Sequence, residues 1–444
     1  MKLRASCVLC GQDFDLQLTI EKLVYGGDGL ARLPADEHGR GKAVFMPFVL
    51  EGETVEASLL EQKRGFARAR AEKILQASPL RIAPKCPYFG ECGGCHYQHT
   101  SYANQLEIKV AILKENLRRI AKIELNADVM VDPSPEWNYR NRTRLQVRTE
   151  PQFALGYYEF SSHQVLPVEE CPISSPLINR AIAALWQIGR AGKMGAGIQE
   201  IEFFANAEDS ELLLQVHASE IRRQAALQVA EEIRSALPEV VGISVLRRRA
   251  GHGSETEQIV TLGTGSLAYN TQRASYRVSH GAFFQVNRHL VDGLVGTVTE
   301  GQSGDVALDL YAGVGLFSTI LSRSFAQVIA VEPSPTSHAD LMHNSPSHVK
   351  TVPATTEQFL ESMADKLRPG FVVADPPRSG LGETVVRRLA GLGAGRMVYV
   401  SCDPATLSRD LAGLLGAGYR IQQAHVVDLF PQTYHLESVF HLVR

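Results

Sequence analysis

At 444 residues the chain is longer than one ordinary core can organise, so two or three domains are expected. With 44% hydrophobic and 21% charged residues and no apolar run near the ~20 residues of a membrane span, its composition sets aside fibrous, disordered and membrane-spanning classes. A net charge of −3 excludes only a wholesale polybasic protein, and leaves room for local basic clusters.

The opening residues, Met1 to Cys7, are too short and polar a stretch for a signal peptide, and a cytoplasmic location is expected. From about Leu16 to Leu75, short alternating runs (Leu16 to Ile20, Lys42 to Met46, Glu53 to Ala57) are punctuated by glycines. This reads as a small β-barrel. Next comes Cys86-Pro87-Tyr88-Phe89-Gly90-Glu91-Cys92-Gly93-Gly94-Cys95, with Cys171 far downstream. Four thiolates suit tetrahedral zinc or an iron–sulfur cluster. Cys7 and Cys10 have no second pair nearby and read as free thiols. The spacing predicts a helix over Tyr102 to Ile120, with Leu106, Val110, Leu113 and Leu117 on one face and basic residues on the other.

Alternating runs from Arg142 to about Val278 enclose helical stretches near Asn179 to Ile188 and Gln224 to Leu237, predicting an α+β middle domain. Basic residues cluster at Lys63, Arg64, Arg68, Arg70 and Lys73, at Arg140, Arg142, Arg144 and Arg148, and at Arg247 to Arg249. Together they predict a face turned to a polyanion. From about Gly281, strand and helix alternate as in a doubly wound parallel sheet.

Three stretches in that last part end a predicted strand in polar residues. Asp309-Leu310-Tyr311-Ala312-Gly313-Val314-Gly315 lets backbone approach a ligand, and about twenty residues on Glu332 ends a second strand with an acid suited to ribose hydroxyls. Without a full Gly-x-Gly-x-x-Gly or a phosphate loop, this fits S-adenosylmethionine better than a dinucleotide. Asp375-Pro376-Pro377-Arg378 offers a carboxylate for the N3–H of a uracil, and Gln285 a complementary amide donor. Ser401-Cys402-Asp403-Pro404 puts a cysteine on the turn between a buried strand and a helix. Glu437 is an acid in an otherwise apolar strand.

In this order the motifs at Asp309 to Gly315, Asp375 to Arg378, Ser401 to Pro404 and His435 to Ser438 resemble the RNA uracil-5-methyltransferase family. The resemblance covers nearly the whole chain after about residue 13. It implies an OB-like TRAM barrel at 13–76, a middle domain with an iron–sulfur loop at 77–280, and a Rossmann-like class I methyltransferase domain at 281–444. Cys402 matches the nucleophile that attacks uracil C6, and Glu437 the base that removes the C5 proton. Gln285, Tyr311, Gly313, Gly315, Glu332, Thr355 and Asp375 match cofactor- or substrate-pocket positions. Cys86, Cys92, Cys95 and Cys171 match the ligands of a [4Fe–4S] cluster.

Because the transfer-RNA branch usually lacks both barrel and cluster, the implied substrate is 23S ribosomal RNA, with tRNA the alternative. The implied protein is a monomer with RNA as partner, S-adenosyl-L-methionine as cofactor, and neither membrane nor obligate protein partner. Three departures from the family pattern stand out: Ala312 for a cysteine, Thr355 for an Asn or Asp, and Gln432 for a histidine. Two other readings are cytosine-5 methylation, for which the second cysteine motif is missing, and an idle RNA-binding protein with a structural metal.

Overall fold

The computed structural model describes residues 16–35, 41–125, 128–248, 256–363 and 367–444. Cys7, Cys10 and Arg249 lie outside them.

Six short strands open the described chain: β1 (Leu16–Thr19), β2 (Lys22–Leu23), β3 (Asp28–Arg32), β4 (Ala43–Pro47), β5 (Thr54–Gln62) and β6 (Phe66–Gln76). They form one sheet in the order β1-β5-β6-β4-β3-β2. Alternation places Val44, Met46, Val55, Ala67 and Ala69 in its core, while Arg68 and Arg70 point outward. Tyr97, from beyond the barrel, is buried in the same core.

The predicted helix exists as α1 (Tyr102–Asn116), capped by the Ser101 hydroxyl and continued by a π-helical turn over Leu117–Ala121. Its buried face is the expected one only in part: Leu113 and Leu117 are buried as expected. Gln105, Lys109, Ile112 and Leu113 are buried, so one of the basic residues expected in solvent lies wholly inside.

After β7 (Met130–Asp132), the middle of the chain forms a seven-stranded sheet. Its strands are β8 (Arg142–Arg148), β9 (Ala154–Tyr158), β10 (Val165–Pro167), β11 (Ile198–Ala205), β12 (Leu212–Ala218), β13 (Val240–Arg248) and β14 (Thr256–Gly263), in the order β10-β9-β8-β11-β12-β13-β14. The helices α2 (Pro176–Arg190) and α3 (Arg223–Ala236) pack on it through Ile178, Ile182, Leu185, Val229 and Ile233. Here the expected basic face fails in part. Arg142 and Arg144 both pair with the buried Glu202, and Arg247 pairs with Glu257, so these guanidiniums are committed within the domain. The cluster on β6 and the β5–β6 turn is exposed, with Lys63, Arg68 and Arg70 also paired, to Glu61, Asp28 and Glu72.

A hairpin, β15 (Ser266–Asn270) with β16 (Ser275–Ser279), leads into the last domain. There α4 (Val291–Thr299), β17 (Gly304–Leu310), α5 (Ser318–Leu321), β18 (Phe325–Val331), α6 (Pro335–Asn344), β19 (Val349–Val352), α7 (Thr356–Met363), β20 (Phe371–Ala374), α8 (Gly382–Leu392), β21 (Arg396–Ser401), α9 (Pro404–Gly416), β22 (Arg420–Val427) and β23 (Glu437–Val443) alternate. The sheet runs β19-β18-β17-β20-β21-β23-β22-β7, parallel except that β23 opposes both its neighbours. Two pieces expected in the middle domain belong here. β7 extends this sheet beside β22, and Leu113 and Leu117 sit in the core between the sheet and α9. Among the described residues no helix is long and apolar enough to cross a membrane.

Candidate active site

Parallel strands end at a common edge of their sheet, so β17, β20 and β21 deliver Tyr311, Asp375 and Cys402 to one place. Between β21 and β23 the register sets Ser401 against Ser438, whose hydroxyl donates to the Ser401 carbonyl at 3.2 Å. Continued by one residue, that register puts Cys402 across from Glu437. The turn at Cys402 is held from behind. The Asp403 carboxylate accepts from the N–H groups of Ala405 and Thr406 at 3.0 and 2.9 Å, with Pro404 at the first helical position of α9. The loop after Asp375 is fastened to the same helix. Thr406 Oγ1 donates to the Arg378 carbonyl at 3.1 Å, and the Leu381 N–H donates to Asp410 Oδ2 at 2.7 Å.

Beside this turn lies a cleft lined by Phe283, Phe284, Gln285, Tyr311, Ala312, Gly313, Val314, Leu316, Phe317 and Asp375. Its floor is the turn after β17. Tyr311 has φ 62° and Gly313 φ 56°, and a Cβ added at Gly313 would meet nothing within 4 Å, so the backbone there lies open to a ligand. Gly315 instead packs against Leu341. Glu332 ends β18 with both oxygens engaged: it accepts from the N–H of Gly313 at 2.9 Å and of Ser334 at 2.8 Å. Thr355 stands at the start of α7, where its hydroxyl accepts from the Gln358 N–H while the Gln358 side chain accepts from its own N–H.

Gln285 and Glu437 are buried and Asp375 partly so, yet among the described residues none of the three side chains makes a hydrogen bond. Gln285 and Asp375 line the cleft, so their free polar groups are available to a ligand there. Burial, and behind it the neighbouring Asp309, pushes Asp375 up to about 7. Burial also carries Asp309 up to about 7, although the Ser318 hydroxyl donates to it. Glu437 is raised well above the usual carboxylate range by burial and then by Asp375. Burial, with Glu437 and Asp375 adding to it, pushes the Cys402 thiol up to about 12 against the opposing charge of Arg378. Burial and the acids outweigh the one cation, Arg378, so the Cys402 thiol holds its proton.

The segment that carries Glu437 is positioned by residues the sequence reading placed elsewhere or passed over. Lys109 donates to Asp428 at 2.5 Å and to the Phe430 carbonyl at 2.9 Å, both acceptors coming just ahead of β23. One turn earlier on α1, Gln105 exchanges two hydrogen bonds with Gln432, each 2.9 Å. The signal was two polar residues four apart on the helix, Gln105 and Lys109, in line with Ile112 and Leu113.

Cys86, Cys92 and Cys95 of the upstream loop, and Cys171, are free thiols. Gly93 ties that loop to β9 through the Tyr158 carbonyl at 3.0 Å, and Cys171 is fixed by Asn179, whose side-chain oxygen accepts its N–H at 2.9 Å. Burial raises Cys86, Cys92 (to about 11) and Cys95, and each is raised further by Cys171, so the four sulfurs face one another electrostatically. Among the described residues, no three His, Cys, Asp or Glu side chains form a group that could hold a metal ion.

Comparison with known proteins supplies the context. The family described as tRNA (Uracil-5-)-methyltransferase matches residues 101–444, and the TRAM domain matches residues 16–71. An RNA methyltransferase of Aquifex aeolicus (strain VF5) is 33% identical over 436 residues, covering 96% of this chain and 98% of its own. The 23S rRNA (uracil(1939)-C(5))-methyltransferase RlmD of Pseudomonas fluorescens Pf-5 is 33% identical over 449 residues, covering 95% and 93%. Among solved structures, the Pyrococcus abyssi tRNA (uracil-54, C5)-methyltransferase in complex with S-adenosyl-L-homocysteine shares the fold, with a TM-score of 0.73 at 23% identity over 96% of this chain and all of that one.

Proposed function

The chain belongs to the tRNA (uracil-5-)-methyltransferase family and carries a TRAM domain, and from that premise we propose that it methylates C5 of a uridine in 23S ribosomal RNA. The observation that carries the mechanism is the register that sets Cys402 across from Glu437, beside a cleft holding the unpartnered Asp375 and Gln285. The rRNA target is favoured over tRNA because the curated relative acting on 23S rRNA is the more similar in sequence. A cytoplasmic location is proposed on the same ground, as the place where that RNA is found.

S-adenosyl-L-methionine fits the cleft: the backbone is open at Gly313, Glu332 stands at the neighbouring strand end, and acids surround the position a sulfonium would take. Bound there, it supplies an electrophilic methyl group. The chain's own residues do the rest. Uracil C5 is a weak nucleophile, so the Cys402 thiolate adds to C6 and pushes electrons toward C5 and O4. Asp375 and Gln285 face the pyrimidine's polar edge and hold it in that orientation. C5 takes the methyl group; Glu437, which gives up its own proton to solvent once a cation lies beside it, then removes the C5 proton, and the returning electrons expel the Cys402 sulfur from C6 as a thiolate. A paired uridine must first leave its stack to reach Cys402.

Cys86, Cys92, Cys95 and Cys171 would hold a [4Fe–4S] cluster as a structural element. The influence of Cys171 on the other three thiols supports this reading. A cubane takes its thiolates on separate irons and so spaces them more widely than a single zinc ion does.

The test separates the two catalytic residues. Cys402→Ala should form no covalent complex with RNA. Glu437→Gln should attack and methylate but fail to release, leaving an RNA–protein adduct that carries the labelled methyl group on a denaturing gel. Methylation of uridine by Cys402→Ala would overturn the covalent mechanism.

A further inference from the structure

We propose that Tyr25, a residue of the RNA-binding barrel, is a positioning residue for the nucleophile, and that the barrel thereby sets the geometry of the methyl-transfer site. The proposal rests on the reading of Cys402 as the nucleophile.

Tyr25 lies in the turn between β2 and β3, 377 residues from Cys402, and its hydroxyl donates to the Cys402 carbonyl at 3.0 Å. That carbonyl precedes the hydrogen-bond ladder of α9, which starts when the Leu407 N–H reaches the Asp403 carbonyl. The helix therefore does not fix the peptide plane after Cys402: Tyr25 holds its carbonyl side, and the Ser401 hydroxyl accepts from the Asp403 N–H on the other side at 3.3 Å. The Tyr25 ring also meets Tyr434 edge to face, centroids 5.5 Å apart, and Tyr434 stands three residues before Glu437. One side chain thus braces both the turn bearing the nucleophile and the segment leading to the base.

The turn is built for close approach. Gly27 has φ +90°, and a Cβ there would lie 2.9 Å from the His96 ring, immediately after Cys95. His96 in turn packs against Tyr434, centroids 4.6 Å apart, and its N–H donates to the Gln432 carbonyl at 2.8 Å. The exchange is reciprocal: Tyr25 packs against the core of the methyltransferase sheet, while Tyr434 packs against the core of the barrel. A barrel that served only to hold RNA would not need a hydrogen bond to the nucleophile's own backbone.

Tyr25→Phe keeps the ring and deletes the donor. With the full chain, S-adenosylmethionine and unmodified 23S rRNA, kcat for methyl transfer should fall about tenfold with KM for RNA within about twofold, the size expected for one such bond. An unchanged kcat, or a loss confined to KM, would overturn the assignment and make Tyr25 an RNA contact. A second arm needs no RNA. Alkylation of Cys402 by iodoacetamide, read by mass spectrometry, should quicken about threefold in Tyr25→Phe with an unchanged melting temperature, because the turn is released locally. Equal alkylation rates would overturn the proposal whatever the RNA result. Cys402→Ala, run alongside, isolates the underlying reading: methyl transfer by that variant would refute the nucleophile while leaving the alkylation comparison intact.

Discussion

Two buried glutamates end strands of the same sheet and share almost nothing else. Glu332 and Glu437 are 8% and 6% exposed. Glu332 accepts two backbone N–H bonds and belongs to the shape of the turn it closes. Glu437 accepts none, faces a cysteine and another acid, and is held protonated by burial and that acid. Burial alone therefore does not decide what a carboxylate does. Satisfied by backbone, it is a fixture that a neutral ligand can lean on. Left without partners among like charges, it is primed to exchange a proton once a cation arrives.

The comparison breaks most sharply under substitution. Glu437→Gln should reduce turnover about a thousandfold with cofactor affinity unchanged, whereas Glu332→Gln should preserve turnover at saturating cofactor and weaken its binding about tenfold. Single-turnover rates and calorimetric titration with S-adenosylmethionine distinguish the two. Similar kinetic losses in both variants would erase the contrast.

The role of charge can be tested next. Cys402 at about 12 is a thiol, held so by burial and by neighbouring acids that outweigh the single counter-charge of Arg378. A sulfonium should lower it, and the neutral sulfur of S-adenosylhomocysteine should not. At equal occupancy, then, Cys402 should alkylate about tenfold faster with S-adenosylmethionine than with S-adenosylhomocysteine, and the empty protein should show a rate still climbing with pH above about 9. Equal rates with the two ligands would mean that the acids do not govern the thiol.

A smaller effect concerns stability. Asp375 moves from the ordinary 3.8 to about 7 on folding. The folded chain thus keeps a proton that the unfolded chain releases, and this costs stability progressively between those two values and fully above the higher one. Asp375→Asn should accordingly raise the melting temperature by about 3 °C near pH 8 and leave it unchanged near pH 4, while methyl transfer is lost. A stabilisation equal at both pH values would point to packing instead of charge.

What was legible in the sequence was local. The strand-end motifs at Tyr311, Asp375 and Cys402 each combine an apolar run with a polar turn, and parallel topology then brings their ends together. Glu437 announced itself as an acid in an apolar strand. What escaped depends on contacts between distant segments. Lys109 looked like a solvated helix residue because its partner, Asp428, is 319 residues away. Arg142 and Arg144 looked like a polyanion-binding face because Glu202 lies on β11, a neighbour only after the sheet has formed. β7 is too short to signal its membership of a sheet whose other strands come after residue 300. The barrel turn at Tyr25 carried no sign that it would touch a cysteine in another domain.

The place of β23 in the sheet has a consequence for how the protein comes into being. It inserts between β21 and β22, although it is made after both. A nascent chain that has passed β22 but not β23 holds β22 and β7 apart from the rest of the sheet, with α1, made some 300 residues earlier, still waiting for its partners. Glu437, which begins β23, arrives in the same event that joins the two parts. Assembly of the sheet and arrival of the proposed base are thus one step. A half-made chain can collapse around its cofactor cleft, but it has no means of completing the reaction on the ribosomal RNA around it.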